Sequence, residues 1–144
     1  MKKKILIALP IIFILMQFVR IDKTNPSYSL NNDFIEIEKP SKEIAEILKT
    51  SCYDCHSNQS TYPWYSNVAP VSWIVKNHIN EGREHFNLSE WNQYSTEEKR
   101  DIMHECAEEV EEGNMPMKPY LLMHSEAKLT EKQRGILIDF FERK

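Results

Sequence analysis

The stretch Ser41-Lys42-Glu43-Ile44-Ala45-Glu46-Ile47-Leu48-Lys49-Thr50-Ser51-Cys52-Tyr53-Asp54-Cys55-His56-Ser57-Asn58 decides how the rest of the chain reads. Ser41 is a good helix N-cap, and Glu43 sits where a first turn favours negative charge. Ile44, Ile47 and Leu48 share one face of a 3.6-residue period. A helix therefore runs directly into two cysteines three apart, with a histidine immediately after the second.

Working outward, the signals stay helical. A polar, aromatic-rich loop covers residues 57–70 and contains Tyr62-Pro63-Trp64-Tyr65. After Pro70, the residues Val71, Ile74, Val75, His78, Ile79 and Gly82 fall on one continuous stripe, which predicts a second helix. A capping box at Ser95-Thr96-Glu97-Glu98 opens a third helix, with Ile102, Met103, Cys106 and Val110 as its expected buried face and Gly113 at its end. Another box, Thr130-Glu131-Lys132-Gln133, opens the last helix, which buries Ile136, Leu137, Phe140 and Phe141. No stretch shows sustained strand alternation, and the fold class is all-α.

Upstream, Lys2, Lys3 and Lys4 precede an almost unbroken apolar run from Ile5 to Val19. A basic stub before about 7–15 apolar residues is the pattern of an export signal. No small-residue cleavage site follows, so residues 1–23 read as an uncleaved signal-anchor, with ordinary cleavage as the alternative. The run is shorter than the roughly 20 residues that usually span a bilayer core, although Lys4 and Arg20 can snorkel. Either reading puts the remainder on the exported, periplasmic side, with the membrane as a partner through the anchor. Residues 24–40 are rich in turn formers and read as a linker, in which Phe34, Ile35 and Ile37 form a short extended segment against the domain. Residues 41–144 are then the folded domain.

From residue 24 onward the formal net charge is −8. That acidity excludes nucleic acid as a partner, since its phosphates would be repelled. It favours a basic partner instead. Between residues 24 and 134 the only glycines are Gly82 and Gly113, so no glycine-rich phosphate loop exists.

Cys52-Tyr53-Asp54-Cys55-His56 is the CxxCH pattern of covalent c-type haem attachment. Two cysteines one turn apart can both face a porphyrin edge and bond its vinyl groups, and the next histidine swings beneath the iron. A thioredoxin-like redox pair would need a βαβ setting that the pattern lacks. A zinc site would need two further ligands at paired spacing. A disulfide between residues three apart is geometrically awkward. Cys106, the odd cysteine, reads as a buried inert thiol.

The chain resembles the class I cytochrome c plan: an amphipathic helix into CxxCH, a middle region, a Met-Pro loop and a closing helix. More closely, it resembles a family of small bacterial haem-binding domains, exported with a single CxxCH. The residues that carry this are Cys52 to Asn58, Tyr62-Pro63-Trp64-Tyr65-Ser66, Pro70-Val71-Ser72-Trp73, His78, Glu81-Gly82-Arg83-Glu84-His85 and Gly113-Asn114-Met115-Pro116. The resemblance implies a small cytochrome c-like helical domain with one covalent haem c per chain. It makes Cys52 and Cys55 the thioether sites, His56 the proximal iron ligand and Met115 the distal one. Pro116 is compatible with that role, because it disfavours α conformation at Met115 and leaves the side chain on a loop. Met117, His78, His124 or an open site are the alternatives. Trp64, Tyr65 and Trp73 are candidate pocket walls. The implied function is electron transfer with a redox partner protein, and no substrate chemistry. The competing readings are a haem enzyme or gas sensor with an open distal side, for which only His78 with Arg83 could serve as distal groups, and a non-haem thiol or metal protein.

Overall fold

The computed structural model describes residues 2–143; Met1, Lys144 and the side chains of residues 2–5, which carry the expected basic stub, lie outside the described residues. The α-helices are α1 (Lys2–Met16), α2 (Phe34–Glu38), α3 (Lys42–Ser51), α4 (Tyr53–His56), α5 (Val71–His85), α6 (Thr96–Glu111), α7 (Lys118–Leu121) and α8 (Glu131–Glu142). Short 3₁₀ turns link several of them, and no strand occurs among the described residues. The all-α expectation is met.

Local chemistry sets the boundaries. The Ser41 hydroxyl accepts from the Ile44 amide and caps α3. Both expected capping boxes are present, at Ser95/Glu98 and at Thr130/Gln133. Each such cap stabilises a helix start by about 1 kcal/mol. Gly113, at φ 73°, follows the end of α6 in a left-handed conformation that glycine adopts without a Cβ penalty.

No helix among the described residues is long and apolar enough to cross a membrane. α1 has 15 residues, about 22 Å at the helical rise, so the expected N-terminal anchor finds no support as a spanning helix. Its end is tied to the domain. The Gln17 side-chain amide donates to the Ala69 carbonyl at 3.1 Å and accepts from the Ala69 amide at 2.9 Å. The Trp73 indole donates to the Val19 carbonyl at 2.9 Å. Trp73 thus holds this segment and lines neither of the two larger cavities beside the cysteines.

Residues 24–40 differ from the linker reading. They belong to the folded domain, and residues 34–38 are helical instead of extended. The Asp33 carboxylate accepts from the Ile35 amide to cap α2, and Phe34 is only 1% exposed. A run of three large apolar residues among turn formers had enough surface to join the core. Phe34 meets Trp91 edge-on at 4.8 Å, and both pack with Leu48, Met103, Leu137 and Phe141. Trp91, fully buried on a 3₁₀ turn, had no periodic signal around it. On α6 the buried face is Met103, Ala107 and Val110, with Ile102 and Cys106 only partly covered. α6 packs on α8, where the Arg134 guanidinium donates to the Val110 carbonyl.

Candidate functional site

α3 breaks at Cys52, whose φ −124°, ψ −41° lies off the helical values, and α4 restarts at once. The Cys55 and His56 amides both donate to the Cys52 carbonyl, at 3.2 and 2.9 Å. Cys52, Cys55 and His56 are therefore held on one turn, as their spacing requires. α5 fixes this turn from outside. A Cβ at Gly82 would stand 2.8 Å from the Cys55 carbonyl oxygen, so only glycine allows the two backbones this close.

Arg83 clamps the loop after the motif. Its Nε donates to the Ser57 carbonyl at 2.7 Å, and the guanidinium also reaches Ser60 Oγ and Asn25 Oδ1, each at 2.9 Å. With its Nε and Nη2 donors given to these groups, Arg83 acts as a scaffold group, and it is not among the residues that line the cavity with His78. Asp54, inside the motif, accepts from the Thr61 amide at 2.8 Å and from the Tyr120 hydroxyl at 2.9 Å.

The His56 ring stacks face to face on Phe86, with centroids 4.2 Å apart and planes 12° from parallel. Its Nδ1 is buried without a hydrogen-bond partner. Burial holds the imidazole pKa below its ordinary value; the backbone at Gly82 and Phe86 pushes the other way. A neutral imidazole is the form that ligates a metal. Burial also pushes the Cys52 thiol up to about 12, with Cys55 adding to the effect. Cys55 is pushed up to about 11, again by burial first and then by Asp54. Exchange-active thiols need the opposite shift. All three cysteines are free, and among the described residues no group of three or more His, Cys, Asp or Glu side chains could hold a metal ion. The raised thiols run against a thiol-redox pair, and the described residues bring no further ligands to the cysteines for a zinc site.

Two cavities flank the motif. One, of about 200 Å³, is lined by Cys52, His56, Met115, Phe86, Cys106 and Leu137 among others, with exposed His85 at its edge. The other, of about 420 Å³, is lined by Cys55, His78, Met117, Tyr65, Tyr120 and His124 among others. Met115 thus shares a cavity with His56 and Cys52, while the three competing ligands share one with Cys55. His124 is already engaged. The Tyr65 hydroxyl lies 2.7 Å from its Nε2, its Nδ1 lies 2.9 Å from Glu126 Oε1, and Tyr120 stacks on its ring at 4.2 Å. No periodic signal could have brought Tyr65, Tyr120, His124 and Glu126 together from loops and short turns.

Residues 11–143 match the haem-binding domain family. The chain belongs to that family. No curated protein and no solved structure matches the chain. Membership makes haem the cofactor, and the local chemistry fits it: an orphaned buried imidazole nitrogen, two free thiols on one turn, and apolar cavities beside them. The matched region of the haem-binding domain starts inside α1 and runs through residues 24–40, in keeping with the tie of that segment to the fold.

Proposed function

We propose that the chain is a monohaem c-type electron carrier, its haem bonded through Cys52 and Cys55 and its iron held by His56 and Met115. The carrying observation is the buried, unpartnered Nδ1 of His56, on the same helical turn as both cysteines and beside the cavity that Met115 enters. When bound, haem supplies a one-electron ferrous–ferric couple. The residues' share is positional. Cys52 and Cys55 fasten the group to a turn that Gly82 and Arg83 hold rigid. Phe86 fixes the plane of the His56 ring, and burial keeps that ring neutral. Met115 offers a soft thioether, which raises a haem potential relative to a second imidazole.

The domain's acidic surface suits a basic redox partner, and the basic stub with its apolar run supports a place on the exported side of a membrane. The test is the full chain produced in a host with cytochrome c maturation machinery. We expect one covalently attached haem by mass, a low-spin reduced spectrum, and a sulfur-to-iron charge-transfer band when oxidised. Haem-free protein with both thiols alkylatable would overturn the assignment. High-spin iron that binds carbon monoxide without displacing a ligand would replace the carrier with the open-site reading.

A further inference from the structure

The apolar stripe of α5 packs on α4 at its Gly82 end, while its earlier residues face a cavity. Val71, Ile74, Val75, His78 and Ile79 all line the larger cavity, and Val71 and Ile74 are 42% and 52% exposed. Beyond residue 30, the large exposed apolar side chains among the described residues are Trp64, Val71, Ile74, Leu122 and Met123. Four of these five line the same cavity, and Leu122 precedes Met123 in the chain. An apolar collar of this kind around a cavity marks a surface built to be covered.

Its occupant is constrained from three sides. Cys52 opens onto the smaller cavity and Cys55 onto the larger, so a group bonded to both must reach both. The smaller cavity lies below the roughly 300–1,000 Å³ common for cofactor clefts, and the larger lies within it. No Lys or Arg lines the larger cavity, whereas Asp54 does and Glu126 stands behind His124. With Nδ1–H of His124 given to Glu126, its Nε2 takes the Tyr65 proton, and Tyr120 gives its proton to Asp54. Those four groups leave only acceptor lone pairs toward the space. A carboxylate would meet no Lys or Arg there and would face the Asp54 carboxylate.

We propose that the larger cavity seats the apolar periphery of the haem macrocycle, with the stripe of α5 and Trp64 as its contact face and the propionate edge kept outside. This rests on the covalent haem reading above. It assigns the exposed collar a covering group, and it makes His124 a wall residue with Tyr65 and Tyr120 in place of an iron ligand.

The test is hydroxyl-radical footprinting of the full chain, haem-bearing and haem-free, read by mass spectrometry. Labelling of Trp64, Ile74 and Met123 should fall several-fold when haem is attached, while that of Leu30, exposed and outside the cavity, should not change. Unchanged labelling at Trp64 and Ile74 in protein whose mass shows haem would overturn the proposal and confine the group to the smaller cavity. Absence of haem from the mass would instead sink the underlying assignment. As a second readout, Ile74→Asp places a charge at an already exposed position, so the fold should survive. It should lower the haem-bearing fraction several-fold, whereas Asn80→Asp, exposed and outside the cavity, should leave it unchanged. Equal fractions in the two variants would also overturn the proposal.

Discussion

Gly82 lies against the backbone of Cys55 so closely that a Cβ on it would come within 2.8 Å of the Cys55 carbonyl oxygen and 3.1 Å of the Cys55 Cβ. The obstruction is mainly main chain, which cannot swing aside as a side-chain end can. Gly82→Ala should therefore push α5 from α4 and destabilise the domain by about 1–3 kcal/mol, the range for overpacking. Denaturant unfolding of the haem-free chain measures the loss. The yield of covalent haem should fall with it, because the same contact holds the motif's turn.

The axial pair makes two separate predictions. His56→Ala should abolish the native low-spin spectrum, and a normal reduced spectrum from that variant would remove His56 from the iron. Met115→Ala should keep covalent haem but lose the sulfur-to-iron band and shift the reduction potential. If the band persists, Met117 in the neighbouring cavity becomes the sulfur ligand.

Arg83 bridges Ser57, Ser60 and Asn25, and two of its bonds tie the segment after the motif to α5. Arg83→Gln leaves a buried carbonyl at Ser57 without its charged donor, at a cost of about 1–3 kcal/mol. A smaller change in urea midpoint than in an Arg143→Gln control, whose pair with Asp139 is exposed, would contradict the clamp.

Tyr53 gives a pH dependence with a definite sign. Burial first, then its hydrogen bond to Asp33 at 2.8 Å, raise the phenol pKa above its usual value near 10. Above that pH the unfolded chain has released the proton and the folded chain has kept it. Protons bound are then fewer in the unfolded state, and stability falls as pH rises. Tyr65, Tyr94 and Tyr120 are raised too, so the comparison is with Tyr53→Phe. That variant should lose less stability between neutral pH and alkaline pH than the parent does. Parallel curves would remove the contribution of Tyr53.

Asp54 places a carboxylate inside the motif, fixed by Thr61 and Tyr120. Negative charge near the iron favours the ferric state, so Asp54→Asn should raise the reduction potential. In partly buried surroundings the effect should be on the order of tens of millivolts. Voltammetry of the haem-bearing protein decides it, and an unchanged or lowered potential counts against the assigned position of the haem.

By itself the sequence determined the elements whose information is local. Caps at Ser41, Ser95 and Thr130, the Gly113 stop, the periodic faces of α3 and α8, and the one-turn CxxCH spacing all rest on residues within a few positions of one another. Tertiary structure decided the rest, because it depends on which surfaces meet. It drew Phe34 and its neighbours into the core as a helix, with Trp91 against them. It set the Gly82 end of the α5 stripe, legible as an apolar face, against α4 and left its first turns facing a cavity. The sorting of the ligand candidates was likewise beyond the sequence, with Met115 beside His56 and with His78, Met117 and His124 beside Cys55. Periodicity records that a face is apolar, and only the packing of distant segments determines what that face is set against.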